Sequence, residues 1–230
     1  MERRSGLTKI LVEAAVETLE AGLAAEEAGA DRVELCAHLD QEGLTPDPAV
    51  VGALVGRLHI PVFIIVRPRA GGFVYDGNEL EAMLRDAGLA GAAGVAGIAT
   101  GALRPDGRID ATATRAMVAA ADGIPVTFHR AFDLVADKTA ALETLIDAGV
   151  ARALTSGGAP TAREGAATIG ALVRQARGRI EIVAGGGVRA HNVRETIART
   201  GVREVHSRFI DRDGLRQLIA AAQRDRSPAV

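Results

Sequence analysis

The stretch Ala28-Gly29-Ala30-Asp31-Arg32-Val33-Glu34-Leu35-Cys36 contains the end of one helix and the whole of one strand, and it decides the fold. Gly29 stands where a helix is expected to close with a left-handed cap. After it, Glu34 and Cys36 fall on one face of an extended run and Val33 and Leu35 on the other, the two-residue period of a strand. The same joint recurs at Ala148-Gly149-Val150, ahead of another short apolar run. Working outward, strands are predicted over residues 10–14, 32–36, 62–66, 94–99, 125–129, 152–155, 180–183 and 204–207. Between them lie helical stretches with apolar residues three and four apart, as at Ala140, Leu142, Leu145 and Ile146. Eight βα units in succession predict an α/β fold with a parallel sheet closed into a single-domain (β/α)8 TIM barrel. The barrel should span residues 9–224, with frayed tails over 1–8 and 225–230. A flavodoxin-like open sheet is the main rival, and the lack of a dinucleotide-binding glycine fingerprint disfavours it.

Bulk composition narrows the function. The 230 residues are 48% hydrophobic, enough for one sizeable core, and a formal charge of -2 from 27 basic and 29 acidic residues draws neither nucleic acid nor an anionic membrane. No apolar run reaches the length of a membrane span and the opening residues lack a secretory core, so a cytoplasmic protein is expected. Cys36 is the only cysteine, which rules out an intrachain disulfide or a thiolate cage built from one chain. The only lysines, Lys9 and Lys138, fall near element starts, which argues against a Schiff-base aldolase.

In a barrel, alternate strand residues face the lumen and chemistry collects at the C-terminal strand ends. Parity places Glu13, Glu34, Arg67 and His129, joined by Glu204 and His206, on lumen-facing positions. They form a predicted polar ring above an apolar floor, with Arg67 as the cation that pairs the carboxylates. This ring is either a catalytic constellation or a structural ion-pair layer. Two glycine-rich loops, Ser156-Gly157-Gly158 and Gly185-Gly186-Gly187, each lead toward a helix and form a candidate anion site together with Arg69. Cys36, His38 and His206 are the candidate metal ligands, Cys36 and His38 having the spacing of a Cys-x-His pair.

Several segments taken together resemble the CutC family. They are Gly29 to Cys36, Gly43-Leu44-Thr45-Pro46, Arg67-Pro68-Arg69 with Gly71-Gly72-Phe73-Val74-Tyr75, Thr127 to Asp133, Leu154 to Gly158, Gly185 to Arg189, and Glu204 to Ser207. The resemblance implies a cytoplasmic barrel, self-associating as a homodimer and assigned to copper homeostasis and copper binding. Ala14 and Ala15 stand where family members often place a cysteine, so Cys36 is left as the one thiolate near the pocket. The competing expectation is an enzyme that acts by acid/base chemistry on a small phosphorylated or carboxylated metabolite, with Glu13, Glu34 or His129 moving the proton.

Overall fold

The computed structural model describes residues 9–224, and the two tails expected at either end lie outside the described residues. Eight strands run in chain order: β1 (Leu11–Val16), β2 (Arg32–Leu35), β3 (Val62–Ile65), β4 (Gly97–Thr100), β5 (Val126–Phe128), β6 (Arg152–Thr155), β7 (Glu181–Ala184) and β8 (Glu204–Arg208). They alternate with α1 (Leu19–Ala28), α2 (Pro48–Val55), α3 (Gly77–Ala92), α4 (Ala111–Ala120), α5 (Lys138–Asp147), α6 (Ala166–Ala176), α7 (Val193–Thr200) and α8 (Arg212–Gln223). Every neighbouring pair is parallel and β8 returns to β1, so the sheet closes into the expected barrel and presents no open edge. The fourth strand begins at Gly97 rather than Gly94, because Gly94 adopts φ 79° and still belongs to the turn that leaves α3.

Local sequence accounts for the helix boundaries. Thr18, Asp47, Asp76, Asp110, Asp137 and Asp211 each accept a first-turn N–H through their side chains, and Asp76 completes a capping box with Glu79. Gly29 closes α1 with φ 96°, the left-handed conformation anticipated for it.

The sheet has two apolar environments. Val12, Ala14, Val33, Leu35, Ile64, Ile98, Phe128, Ile182 and Val205 face outward into the main core beneath the helices. Residues of the opposite parity face the lumen, where Ala15, Cys36, Ile65 and Ala99 form a small apolar cluster of their own. The lumen is charged below that cluster, which overturns the expected polar ring on an apolar floor. Arg32, Arg152 and Glu204 are the first residues of their strands; the two arginines reach Glu13 deep in the barrel, and Glu204 pairs with both of them. Between the two arginines lies the Phe63 ring, its centroid 4.7 Å from the Arg32 guanidinium carbon and 4.3 Å from that of Arg152.

Gly97 makes room for that ring: a Cβ there would stand 2.2 Å from Phe63 Cε2. We expect Gly97→Ala to displace the ring from between the arginines and to destabilise the barrel by about 1–3 kcal/mol, measured by urea unfolding. A variant as stable as the parent would show that the ring can move without cost.

Candidate functional site

Glu13 is 1% exposed and its carboxylate meets three partners. Its Oε2 takes Arg32 Nε and, at 3.0 Å, Arg152 Nη2, while Oε1 lies 2.7 Å from His206 Nδ1. Glu204 ties the other ends of both arginines, 2.7 Å from Arg32 Nη2 and 3.5 Å from Arg152 Nε. Burial alone would raise the Glu13 carboxyl, but the His206 hydrogen bond and the two guanidiniums outweigh it and hold the group well below the usual carboxylate range. The pairing follows from register, since Glu13 stands opposite Arg32 on one side and His206 on the other.

Glu34 lies one step toward the mouth. It is 5% exposed, and its Oε2 is buried without a hydrogen-bond partner. Burial pushes its carboxyl above the ordinary range against the pull of His206, and the nearby Glu13 charge pushes it further. For His206, burial works toward the neutral form, yet Glu34 and Glu13 together outweigh it and raise the imidazole above its usual value. Within the described residues, Glu13, Glu34 and His206 are the one group of three metal-capable side chains whose ligand atoms lie within 4.8 Å of one another. Arg32 and Arg152 already occupy the Glu13 carboxylate, so a cation entering this trio meets two fixed positive charges.

Above Glu34 and His206 opens a cavity of about 300 Å³ at the C-terminal strand ends. Ala15, Cys36, Leu39, Ile65, Phe73 and Leu154 supply apolar wall; Arg67, His129, Arg130, Arg189, Ser207, Arg208 and the backbone of Gly186-Gly187 supply polar wall, with Glu42 the other acidic lining residue beside Glu34. Of the side chains placed in the ring by parity, Glu34, Arg67, His129 and His206 line this cavity, whereas Glu13 and Glu204 sit beneath it.

Arg67 does not pair the lumen carboxylates. Its Nη1 donates to Gln41 O at 2.8 Å and Gly43 O at 3.0 Å, its Nη2 donates to Gly71 O at 2.9 Å, and the guanidinium lies over the Phe73 ring. Thr45 locks onto the Arg67 backbone through its own N–H and hydroxyl, so the Gly43-Leu44-Thr45 and Arg67-Pro68-Arg69 segments form a single knot at the rim. Arg69 faces outside the cavity, its guanidinium spent on Glu79 and on the carbonyls of Gly72 and Val74. The loop after β6 is likewise no open anion cradle. The Asp133 carboxylate already fills it, accepting from Ser156 N at 3.0 Å, Ser156 Oγ at 2.9 Å, Gly158 N at 3.1 Å and the Thr155 hydroxyl. Asp133 also accepts from Arg130 Nε at 2.9 Å, which holds that arginine beside Gly186 at the mouth. The loop after β7 differs: the N–H groups of Gly186 and Gly187 make no hydrogen bond among the described residues, and both glycines line the cavity with Arg189 and Arg208.

The two residues of the expected Cys-x-His pair lie in different surroundings. Cys36 is buried against the lumen, its thiol pushed upward by burial and by the Glu34 and Glu17 charges, whereas His38 turns the chain with φ 53° and is exposed. Sequence reasoning missed Arg32 and Arg152. Parity with Glu34 and Leu154 would have found them, had strand starts been given the same weight as strand ends.

The CutC family model matches residues 10–211. The chain belongs to the CutC family. It is similar to a CutC family protein of Xanthomonas campestris, 46% identical over 196 residues that make up 85% of this chain and 82% of the relative. It is also similar to the human copper homeostasis protein cutC homolog, at 43% identity over 85% of this chain and 72% of the relative. Among solved structures, the CutC protein of Streptococcus agalactiae superposes with a TM-score of 0.82 at 35% identity, covering 86% of this chain and 97% of that one. Phosphoribosylanthranilate isomerase of Thermotoga maritima, at 16% identity and a TM-score of 0.62, shares the barrel alone. No helix among the described residues is long and apolar enough to cross a membrane.

In this CutC chain, removing the Glu13 charge strands two buried guanidiniums. Glu13→Gln should therefore cost about 3–5 kcal/mol, and Glu204→Gln, at a more exposed position, less. Equilibrium urea unfolding of both variants checks the order; equal stabilities would show that Glu13 is not the hub of the network.

Proposed function

We propose that this CutC protein binds a small phosphorylated or carboxylated metabolite in the mouth of its barrel and acts on it by proton transfer. The observation that carries this reading is Glu34: a carboxylate with an unpartnered buried oxygen, set against an imidazole, at the floor of a cavity rimmed by arginines. Burial that lifts a carboxyl toward neutrality makes it a stronger proton acceptor, the property a general base needs near pH 7. Arg189, held to Ser207 Oγ at 2.8 Å, and the exposed Arg208 stand with Gly186 and Gly187 where an anionic group of the ligand would rest. Cytoplasmic residence and assembly as a homodimer belong to the same proposal and rest on the family resemblance.

One observation favours a second reading. Cys36 and His206 line the same cavity, so a Cu(I) ion that displaced the thiol proton would find sulfur and imidazole there. This reading supplies the copper link named for the human relative, with Cys36 and His206 as ligands and His38 set aside by its exposure.

Titration calorimetry with inorganic phosphate and with malonate, alongside Cu(I) competition against a chelator, separates the two. The anion reading predicts that Arg208→Glu combined with Arg189→Glu weakens anion binding at least about tenfold and leaves Cu(I) uptake unchanged. Unchanged anion binding would contradict it. The copper reading predicts stoichiometric uptake that drops with Cys36→Ser, and equal uptake by that variant would rule out this ligand.

A further inference from the structure

His129 is 6% exposed and lines the cavity, yet it takes no part in the Glu13 network. Its Nδ1 accepts the backbone N–H of Ala131 at 3.2 Å. A ring nitrogen that accepts carries no proton, so the proton of the neutral ring sits on Nε2. That Nε2 is buried and has no partner. Three features fix the ring in place. Gly101 leaves the space it fills, since a Cβ there would stand 2.7 Å from His129 Nδ1 and Cε1. The Phe73 ring lies against it with centroids 4.9 Å apart, and Phe128 meets it edge-on at 6.1 Å. Burial, with Arg67 nearby, drives the imidazole pKa down to about 3, so the ring stays neutral across the physiological range.

Three side chains lining one cavity therefore carry buried polar atoms without a partner: Glu34 an acceptor, Arg67 Nε a charged donor and His129 Nε2 a neutral one. A base beside a fixed neutral donor is what enolisation requires. The base removes a proton from carbon while the donor binds the carbonyl oxygen as negative charge develops on it.

Resting on the anion reading above, we infer that the substrate is a small α-hydroxy ketone or aldehyde with a terminal phosphate or carboxylate, that Glu34 removes its α-proton, and that His129 Nε2–H holds the resulting enolate oxygen. In this step the C–H bond breaks and its proton passes to a Glu34 oxygen. The bonding pair forms the C=C bond and the carbonyl π pair moves onto oxygen. Within the cis-enediolate the hydroxyl proton of the first carbon passes directly to the enolate oxygen, and the Glu34 proton then returns to the carbon that bore that oxygen, which completes an isomerisation with no oxidant, reductant or further co-reactant. His129 is a catalytic residue in this account through its hydrogen bond, and it exchanges no proton. Phe73 and Phe128 keep the donor dry, where one such bond is strongest.

The test uses the whole protein in D2O with two probes, dihydroxyacetone phosphate and hydroxypyruvate, and follows the loss of the carbon-bound proton signal by NMR. The phosphate and carboxylate arms show which anion the mouth prefers. Exchange should occur with at least one probe, fall by about 10²–10³ in His129→Gln, and be abolished in Glu34→Gln purified in the same way, which also reports any contaminating enzyme. Near-UV circular dichroism shows whether each variant keeps its packing, and Phe73→Leu, which wets the imidazole without removing it, should slow exchange less than His129→Gln. No exchange with either probe overturns the inference, as does exchange by His129→Gln or Glu34→Gln at the parent rate. Phosphate and malonate binding is read separately, so bound anion without exchange removes the enolisation step and leaves the anion reading standing.

Discussion

The structure depends on one buried carboxylate. Glu13 accepts from two guanidiniums and an imidazole at the centre of a closed sheet, and each of those partners would be costly to bury alone. The arginines can occupy the lumen because Glu13 and Glu204 together balance them and because Phe63 fills the space between their planar heads. Phe63 in turn fits because β4 offers a glycine at the paired position. Charge, ring and missing side chain form one solution to filling the lower barrel.

That lower layer sets the chemistry above it. The Glu13 bond to His206 orients the imidazole and favours its charged form, and Glu34 shares the same imidazole without a partner of its own for Oε2. Across the same cavity His129 lies under the opposite influence, with aromatic packing and a neighbouring guanidinium in place of carboxylates. One cavity thus contains two imidazoles whose surroundings push their proton affinities apart, and such a division is how acid/base roles are assigned within a site. The rim is built separately. Arg67 lines the cavity, but its two Nη groups are spent on loop carbonyls, and the Asp133 carboxylate is spent on the loop after β6 and on Arg130, so they shape the mouth rather than face a ligand.

The fold was legible in the sequence because its signals are local: a glycine at helix ends such as Gly29, Asp or Thr at most helix starts, and a two-residue period in the strands. Period also placed Glu34, Arg67, His129 and His206 correctly on the lumen side. It could not reveal which charges meet, since pairing depends on stagger between strands far apart in sequence, such as Glu13 with Arg152. Arg67 looked like the counter-ion because it follows a strand, yet its guanidinium is captured by carbonyls of the loop after β2. The loop after β6 read as an empty cradle for the same reason: nothing local reveals that Asp133, more than twenty residues upstream, fills it.

The central claim is that the Glu13 network and the aromatic pocket hold His206 and His129 in opposite protonation states. Nitrogen-15 NMR of the histidine rings between pH 5 and 9 tests it directly. The account predicts that His129 shows a neutral ring protonated at Nε2 throughout, and that His206 keeps both ring protons to a pH above the ordinary imidazole value of 6.5. Two rings titrating together near that ordinary value would contradict it.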